Sequence, residues 1–153
     1  MVLVPKPDGT IQFCVDYRQL NEVKVREVYP LPCMDECIDF LGDAKVFSTL
    51  DCNSGYWQIA VVHEDRDKTT FVRHEGVYRN IHLPFGPCNA PATFQRATNM
   101  ILGGLKWKSC LVYLNDIIVF SQSAEEHVEH LRGVFATVRG ANVSLKAKKC
   151  HLF

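Results

Sequence analysis

The sequence predicts an α+β fold in which helices pack on one face of a mostly antiparallel sheet. Three patterns indicate it. Two apolar, β-branched runs flank Asn115-Asp116 within residues 111–120, which is the signature of a β-hairpin. A second pair of strand-like runs lies near the start of the chain. Residues 90–105 and 124–139 carry apolar side chains at helical spacing.

The composition is that of one globular domain. Of its 153 residues, 47% are hydrophobic and 22% charged, and 17 basic residues balance 17 acidic ones. This balance does not indicate nucleic-acid binding, although a local basic patch stays open. No apolar run approaches the roughly 18 residues of a membrane helix and no signal peptide is visible, so we expect no membrane partner. Seven cysteines without a Cys-x-x-Cys pair favour reduced intracellular thiols over disulfides or zinc.

The predicted strands are short apolar or alternating runs bounded by turn residues. In chain order they are 2–5, 11–17, 45–51, 57–63, 69–73, 77–83, the two flanks of Asn115-Asp116, and 143–145. Pro7-Asp8-Gly9 and Glu75-Gly76 are the turns of two further hairpins. Prolines make residues 23–32 extended, and we expect the charged run 64–68 to be a solvated turn.

Three helices are predicted, at 33–41, 90–105 and 124–139. Gly42 ends the first, while Asn89 and Ser123 are the N-caps of the other two. The predicted buried faces are Phe94, Ala97, Ile101 and Leu105 on the second helix, and Val128, Leu131, Phe135 and Val138 on the third. His127 and His130 are expected on the surface of the third helix, with a metal site as the alternative.

Two carboxylates stand where predicted strands end. Asp51 closes one strand, and Asp116 lies between two others. Strand pairing would bring both to one edge of a sheet, where they offer the oxygen ligands that Mg²⁺ prefers. This arrangement suits phosphoryl transfer with two metal ions. Taken alone, residues 111–120 favour the plainer interpretation of a polar hairpin tip in solvent.

A series of short motifs runs through the whole chain in a fixed order. They are Val4-Pro5-Lys6-Pro7-Asp8-Gly9, Phe13-Cys14-Val15-Asp16-Tyr17-Arg18-Gln19-Leu20-Asn21, Tyr29-Pro30-Leu31-Pro32, Phe47-Ser48-Thr49-Leu50-Asp51, Ser54-Gly55-Tyr56-Trp57-Gln58-Ile59, Leu83-Pro84-Phe85-Gly86, Asn89-Ala90-Pro91-Ala92-Thr93-Phe94-Gln95, Tyr113-Leu114-Asn115-Asp116 and Lys148-Lys149-Cys150. On these motifs the chain resembles the reverse transcriptases of gypsy-type long-terminal-repeat retrotransposons. It departs from the family at Asn115, where the Tyr-x-Asp-Asp signature has its first Asp, and at Gln12, where the family usually carries Arg.

The resemblance implies a polymerase palm with part of the fingers, the fingers at about 1–42 and 57–88 and the palm in the remainder of 1–153. The thumb and ribonuclease H are expected to be absent from this chain and to belong to the rest of the retroelement polyprotein, which also serves DNA integration. The implied reaction is RNA-directed DNA synthesis, in which deoxynucleoside triphosphates extend a primer strand on an RNA or DNA template. The implied cofactors are two Mg²⁺ ions, with Mn²⁺ as the alternative. The implied location is the cytoplasm, in a virus-like particle.

The resemblance also assigns roles to individual residues. Catalysis and metal binding fall to Asp51, Asp116 and Asn115. Contacts to the incoming nucleotide fall to Lys6, Gln12, Tyr56, Phe85 and Gly86, and contacts to template or primer to Arg18, Gln95 and Tyr113. In this scheme the Tyr56 ring packs under the sugar and excludes a 2′-hydroxyl. The structural alternatives are a solvated turn for Lys6, a core position for Tyr56 and a solvent-exposed helix position for Gln95.

The two departures predict an intact fold with strongly reduced activity. The amide of Asn115 can still ligate a cation, but it brings no negative charge. Gln12 cannot grip a phosphate as a guanidinium does. The alternative is a noncatalytic, degenerate retroelement copy that acts at most as a nucleic-acid-binding module, for which salt-dependent binding without incorporation would be diagnostic.

Overall fold

The computed structural model describes residues 2–5, 9 and 11–153. In chain order its elements are β1 (Val2–Pro5), β2 (Ile11–Cys14), α1 (Arg18–Val23), α2 (Met34–Leu41), β3 (Val46–Asp51), β4 (Phe71–Arg73), β5 (Gly76–Tyr78), α3 (Ala90–Ile101), β6 (Cys110–Tyr113), β7 (Asp116–Ser121), α4 (Ala124–Gly140) and β8 (His151–Leu152). The paired strands among these elements are all antiparallel, so the predicted α+β class is confirmed. Across the described part of the chain, none of the helices has the length and apolar character needed to span a bilayer.

The chain divides into two compact units. The first comprises Met1–Glu27 and Tyr56–Pro91, and the second comprises Val28–Gly55 and Ala92–Phe153. The first unit contains the two predicted hairpins, β1–β2 and β4–β5. The turn predicted between β1 and β2 lies outside the described residues apart from Gly9, which has a positive φ of 78°.

The strand predicted at 57–63 is wrong. The backbone instead forms 3₁₀ helices at Gly55–Gln58 and His63–Thr69, and between them Ala60 makes an isolated bridge to His82. The second 3₁₀ helix carries the charged run, whose side chains lie at the surface as expected.

The second unit is built on a four-stranded sheet with the strand order β6-β7-β3-β8. Two tightly paired strands, β3 and β7, run through its centre, with Val46 opposite Ser121 at one end and Asp51 opposite Asp116 at the other. The β6–β7 hairpin is the one predicted from the sequence. Its strands are almost entirely buried, as are Leu50 of β3 and the apolar face of α4, and these elements form the core of the unit.

The buried faces of the helices differ in part from those predicted, since Phe94, Leu131 and Val138 are buried as expected. In α4 the buried residues are His127, Leu131, Val134 and Val138, while Val128 and Phe135 are 39% and 37% exposed. The buried face of α4 is rotated about the helix axis relative to the predicted face, because the polar side chain of His127, expected at the surface, points into the core. Helix α3 ends at Ile101 rather than 105. Asn89 makes hydrogen bonds away from the helix, accepting from the Glu27 amide and donating to the Val25 carbonyl.

Candidate active site

The carboxylates of Asp51 and Asp116 lie side by side. They end β3 and begin β7, and they are directly opposite each other in the register of the two strands. Residues opposite one another in an antiparallel pair point to the same face with Cα atoms about 4.5–5.5 Å apart. Two like charges in this position repel each other, so the pair is suited to share a cation.

The hairpin tip next to this pair has an unusual backbone. The sequence predicts Asn115-Asp116 as the turn, whereas the structure places Leu114 and Asn115 there and pairs Tyr113 with Asp116 across it. Leu114 adopts a positive φ of 51°. A side chain with a Cβ in the left-handed region costs on the order of 1 kcal/mol. The surroundings must therefore hold this turn in place.

Gln95 of α3 holds the turn. Its Oε1 accepts a 2.7 Å hydrogen bond from the Leu114 amide, and its Nε2 donates to the Val112 carbonyl at 3.1 Å and to Asn99 Oδ1 at 3.2 Å. The side chain has no exposed surface. The predicted exposed position is wrong, whereas the template contact of Gln95 stays a prediction. Periodicity assigns a polar residue to solvent; the motif that ends in Gln95 was the signal for a structural role.

Asn115 occupies a close-fitting space. Its Oδ1 is buried and has no hydrogen-bond partner among the described residues. A Cβ added to Gly55 would overlap this oxygen and would lie 2.7 Å from Phe94 Cζ, so glycine leaves the room that the amide fills. A buried polar atom without a partner is uncommon in native proteins and marks a site where a ligand or ion is missing or strain is tolerated.

Lys149 brings a positive charge to the pair. Its Nζ lies 3.3 Å from Asp51 Oδ2. Desolvation raises the pKa of Asp116, the charge of Asp51 raises it further, and the Lys149 ammonium partly lowers it. Burial, followed by the charges of the two aspartates, raises the pKa of the neighbouring Cys52 thiol to about 12. Lys149 lies within one of the family motifs, but no sequence pattern predicts its place beside Asp51.

These residues fit a hard divalent cation. The two carboxylates supply anionic oxygens, and the unpartnered Asn115 Oδ1 is a neutral oxygen that is available for a further bond. In the described part of the chain, no three His, Cys, Asp or Glu side chains gather into a metal-binding group. The Asn115 amide could serve as a third protein ligand only by turning away from Gly55.

The residues predicted to contact the nucleotide lie in the first unit. The rings of Tyr56 and Phe85 are 5.2 Å apart and tilted by 56°. Next to them, Gly86 has a φ of 112°, and a Cβ there would lie 3.0 Å from Tyr17 Cδ2. Asn21 fixes this loop by donating to the Gly86 carbonyl at 2.9 Å and accepting from the Cys88 amide at 2.8 Å.

Four further predicted contact residues have different outcomes. Arg18 is exposed and forms a forked ion pair with Asp16, whose pKa it lowers to about 2. With Gly86 it lines a cavity of about 410 Å³. Of Gln12 the structure describes only the backbone, in β2, and Lys6 lies outside the described residues. Tyr113 is half-buried at the end of β6, opposite Asp116.

Comparison with known proteins is consistent with this arrangement. A family model described as reverse transcriptase (RNA-dependent DNA polymerase) matches residues 4–153. The retrovirus-related Pol polyprotein from transposon 297 of Drosophila melanogaster is 43% identical over 153 residues, covering 97% of this chain and 14% of the relative. The corresponding polyprotein from transposon gypsy of the same species is 40% identical over 139 residues, covering 91% of this chain and 13% of the relative.

Solved structures give the same result. The foamy viral protease-reverse transcriptase dRH in complex with double-stranded DNA matches with a TM-score of 0.90 and 26% identity, covering 99% of this chain and 26% of that one. The foamy viral protease-reverse transcriptase in complex with an RNA/DNA hybrid matches with a TM-score of 0.83 and 25% identity, covering 98% and 20%. The chain thus spans about one-seventh of the length of the Drosophila polyproteins it matches. It belongs to the reverse transcriptase family.

Proposed function

We propose that this chain is the fingers-and-palm part of an RNA-directed DNA polymerase and that Asp51 and Asp116 hold the divalent cations of nucleotide addition. The observation that carries the proposal is the pairing of the two carboxylates across β3 and β7. The family and the nucleic-acid complexes of its foamy viral relatives support an RNA or DNA template and a primer strand as partners. The compact first unit supports a fingers assignment for most of 1–42 and 57–88, although residues 28–42 group with the second unit.

The residues of the chain divide the work by position. Asp51 and Asp116 bind the two Mg²⁺ ions, or Mn²⁺, and Asn115 offers its amide oxygen. When bound, the ions favour ionisation of the primer 3′-hydroxyl and offset the charge of the leaving pyrophosphate. Tyr56, backed by Phe85, presents a ring that excludes a 2′-hydroxyl and so selects deoxynucleoside triphosphates.

The site of this chain is short of one negative charge. Asn115 stands where the family signature has Asp, and the Lys149 ammonium already offsets one of the two remaining carboxylates. A unit charge about 4 Å from a divalent cation contributes about 2 kcal/mol in water-like surroundings. Its loss corresponds to a roughly thirtyfold larger dissociation constant for the metal. The fold is therefore kept while cation binding and polymerisation are strongly reduced.

The test measures cation binding and polymerisation separately. Mn²⁺ is titrated calorimetrically into the chain and its Asn115→Asp variant, and we expect binding about thirtyfold tighter in the variant. Gln122→Glu adds the same charge just beyond the other end of β7 and should change the affinity little. Asp51→Asn should abolish binding. Primer extension on an RNA template is then compared for both forms within a polypeptide that continues through the thumb.

Each outcome bears on a different part of the proposal. Extension by the Asn115→Asp form alone supports both the site and the impairment. Equal Mn²⁺ affinity and equal extension by both forms would show that two carboxylates suffice. If Asp51→Asn leaves the Mn²⁺ affinity unchanged, the proposed metal site is wrong.

The missing charge favours a second candidate, a noncatalytic module that binds nucleic acid. This candidate requires salt-dependent affinity for a primer–template without incorporation by either form. It retains the retroelement polyprotein and its cytoplasmic virus-like particle as the setting that we propose for the chain.

A further inference from the structure

A buried polar cluster connects α4 to both carboxylate strands. His127 has no exposed surface, and its Nε2 lies 2.7 Å from Ser48 Oγ of β3 while its Nδ1 lies 2.9 Å from Ser121 Oγ of β7. Both serines are buried as well. We refer to Ser48, Ser121, His127 and His130 as the serine–histidine cluster. Neither the metal site nor the nucleotide contacts use it.

The hydrogen bonds of the cluster can be traced from its carbonyl end. His130 Nδ1 lies 2.9 Å from the Phe120 carbonyl, which can only accept, so this nitrogen carries the proton. It therefore also donates to Ser121 Oγ at 2.8 Å. In one tautomer of His127 the Ser121 hydroxyl donates to Nδ1 and Nε2–H donates to Ser48 Oγ, and in the other tautomer both directions are reversed. A neutral His127 thus bonds to β3 and β7 at the same time.

The pairing of these two strands needs such a device. The register of β6 against β7 follows from their two-residue turn, but β3 and β7 are far apart in sequence and no hairpin sets their register. The alternation of buried and exposed residues disfavours a register shift of one residue, because such a shift would turn every side chain to the other face of the sheet. A register shift of two residues leaves every side chain on its original face, so the alternation does not disfavour it.

The serine–histidine cluster does distinguish the native register from one shifted by two residues. Ser48 is paired with Val119 and Ser121 with Val46, so the two serines are diagonal neighbours on one face of the sheet. Diagonal neighbours are about 7–8 Å apart, a separation that one imidazole ring with a short hydrogen bond at each nitrogen can span. A slip of two residues would move one serine by about 6.8 Å and break one of the two bonds.

We propose that His127 is a positioning residue that fixes the register of β3 against β7 and so keeps Asp51 opposite Asp116. A slip of two residues would separate these carboxylates along the strands by about 6.8 Å, too far to share a cation site. The functional consequence rests on the proposed function, because it assumes that the two carboxylates hold the metal. The register itself does not depend on that assumption.

The test replaces the three residues that connect β3 to β7. The variant Ser48→Ala/Ser121→Ala/His127→Phe removes these mutual partners together, which is less disruptive than removing one. His130 keeps its bond to the Phe120 carbonyl, and the Phe153 amide loses Ser48 Oγ as its acceptor. His127→Phe alone is measured beside it. His130→Phe is the matched control, since it removes hydrogen bonds from the same helix to β7 but none to β3.

Two readouts are taken on the whole chain, nuclear Overhauser contacts across β3–β7 and calorimetric Mn²⁺ affinity. In the wild type and the His130→Phe control, contacts should join Leu50 to Ile117. In the triple variant we expect added contacts displaced by two residues and a loss of Mn²⁺ affinity of about 10–100-fold, as for other residues that orient metal ligands. A triple variant with the native contacts and native affinity would overturn the proposal. A wild-type chain that binds no Mn²⁺ would count against the proposed function, while the strand contacts would still decide the role of His127.

Discussion

Gln95 offers the most direct test of how the hairpin tip is held. The substitution Gln95→Leu keeps the side-chain volume roughly constant but removes the acceptor for the Leu114 amide and the donor for the Val112 carbonyl. These two backbone groups lie on either side of Tyr113, at the end of β6. Because the Gln95 side chain is completely buried, water cannot take its place.

The expected loss of stability is large. A buried donor or acceptor left without a partner costs about 1–3 kcal/mol, so two of them give about 2–6 kcal/mol. Leu114 would also lose the hydrogen bond that holds it at positive φ. A domain of this size is stable by about 5–15 kcal/mol, and the substitution therefore removes a substantial fraction of the total.

Urea unfolding followed by tryptophan fluorescence measures this loss. Trp107 belongs to the same unit as Gln95 and Trp57 to the other, so the experiment is done in a Trp57→Phe background. Gln122→Leu, at an exposed position, is the control for the chemical change. A difference in unfolding free energy below about 0.5 kcal/mol, the range of ordinary surface substitutions, would show that the hydrogen bonds of Gln95 do not hold the turn.

Three further predictions concern the same unit. Gly55→Ala should lower the free energy of unfolding by about 1–3 kcal/mol, because its Cβ overlaps the buried amide oxygen at the hairpin tip; an unchanged urea midpoint would contradict this. Lys149→Met should tighten Mn²⁺ binding about threefold to tenfold, because it removes a cation that competes for Asp51. Weaker binding in calorimetry would show that Lys149 does not compete with the metal. Burial and the charge of His130 lower the pKa of His127, against a small opposing effect of Glu126. The unfolded chain then takes up the proton first, so thermal stability should fall as the pH drops below about 6.5, and His127→Gln should flatten this dependence.

The carboxylate site was predictable because its signals are local. The hairpin around Asn115, the strand that ends in Asp51 and the antiparallel class all follow from short apolar runs and turn residues, and the structure has each of them. Even here the turn is displaced by one residue, because Leu114 takes the positive φ that the sequence favours for Asn115 or Asp116. Residue preference alone could not reveal this displacement, since the conformation of Leu114 depends on a hydrogen bond to Gln95 of α3.

The polar residues of the core were not predictable in the same way. Gln95 and His127 were both assigned to solvent, because a polar side chain on a helix usually faces water. Both are fully buried, and each is satisfied by partners that are distant in sequence or in the neighbouring strand. Only the paired geometry of the strands shows where such partners lie. The prediction of a strand at 57–63 is wrong for a related reason. The alternation of apolar and polar residues does not show whether a neighbouring strand is there to pair with this stretch.

The geometry of the site and its charge are separable in this chain. Gln95 holds the hairpin through backbone groups, which are the same whatever side chain stands at the tip. Gly55 leaves room for one oxygen, Oδ1, which asparagine and aspartate both have. The residues that shape the site therefore leave the same space for asparagine and for aspartate at position 115. They do distinguish the charge, because a carboxylate oxygen buried there would have no hydrogen-bond partner. Under the proposed function the charge at position 115 serves the cation, so Asn115→Asp should restore catalysis in the metal-bound chain and lower the free energy of unfolding of the metal-free chain.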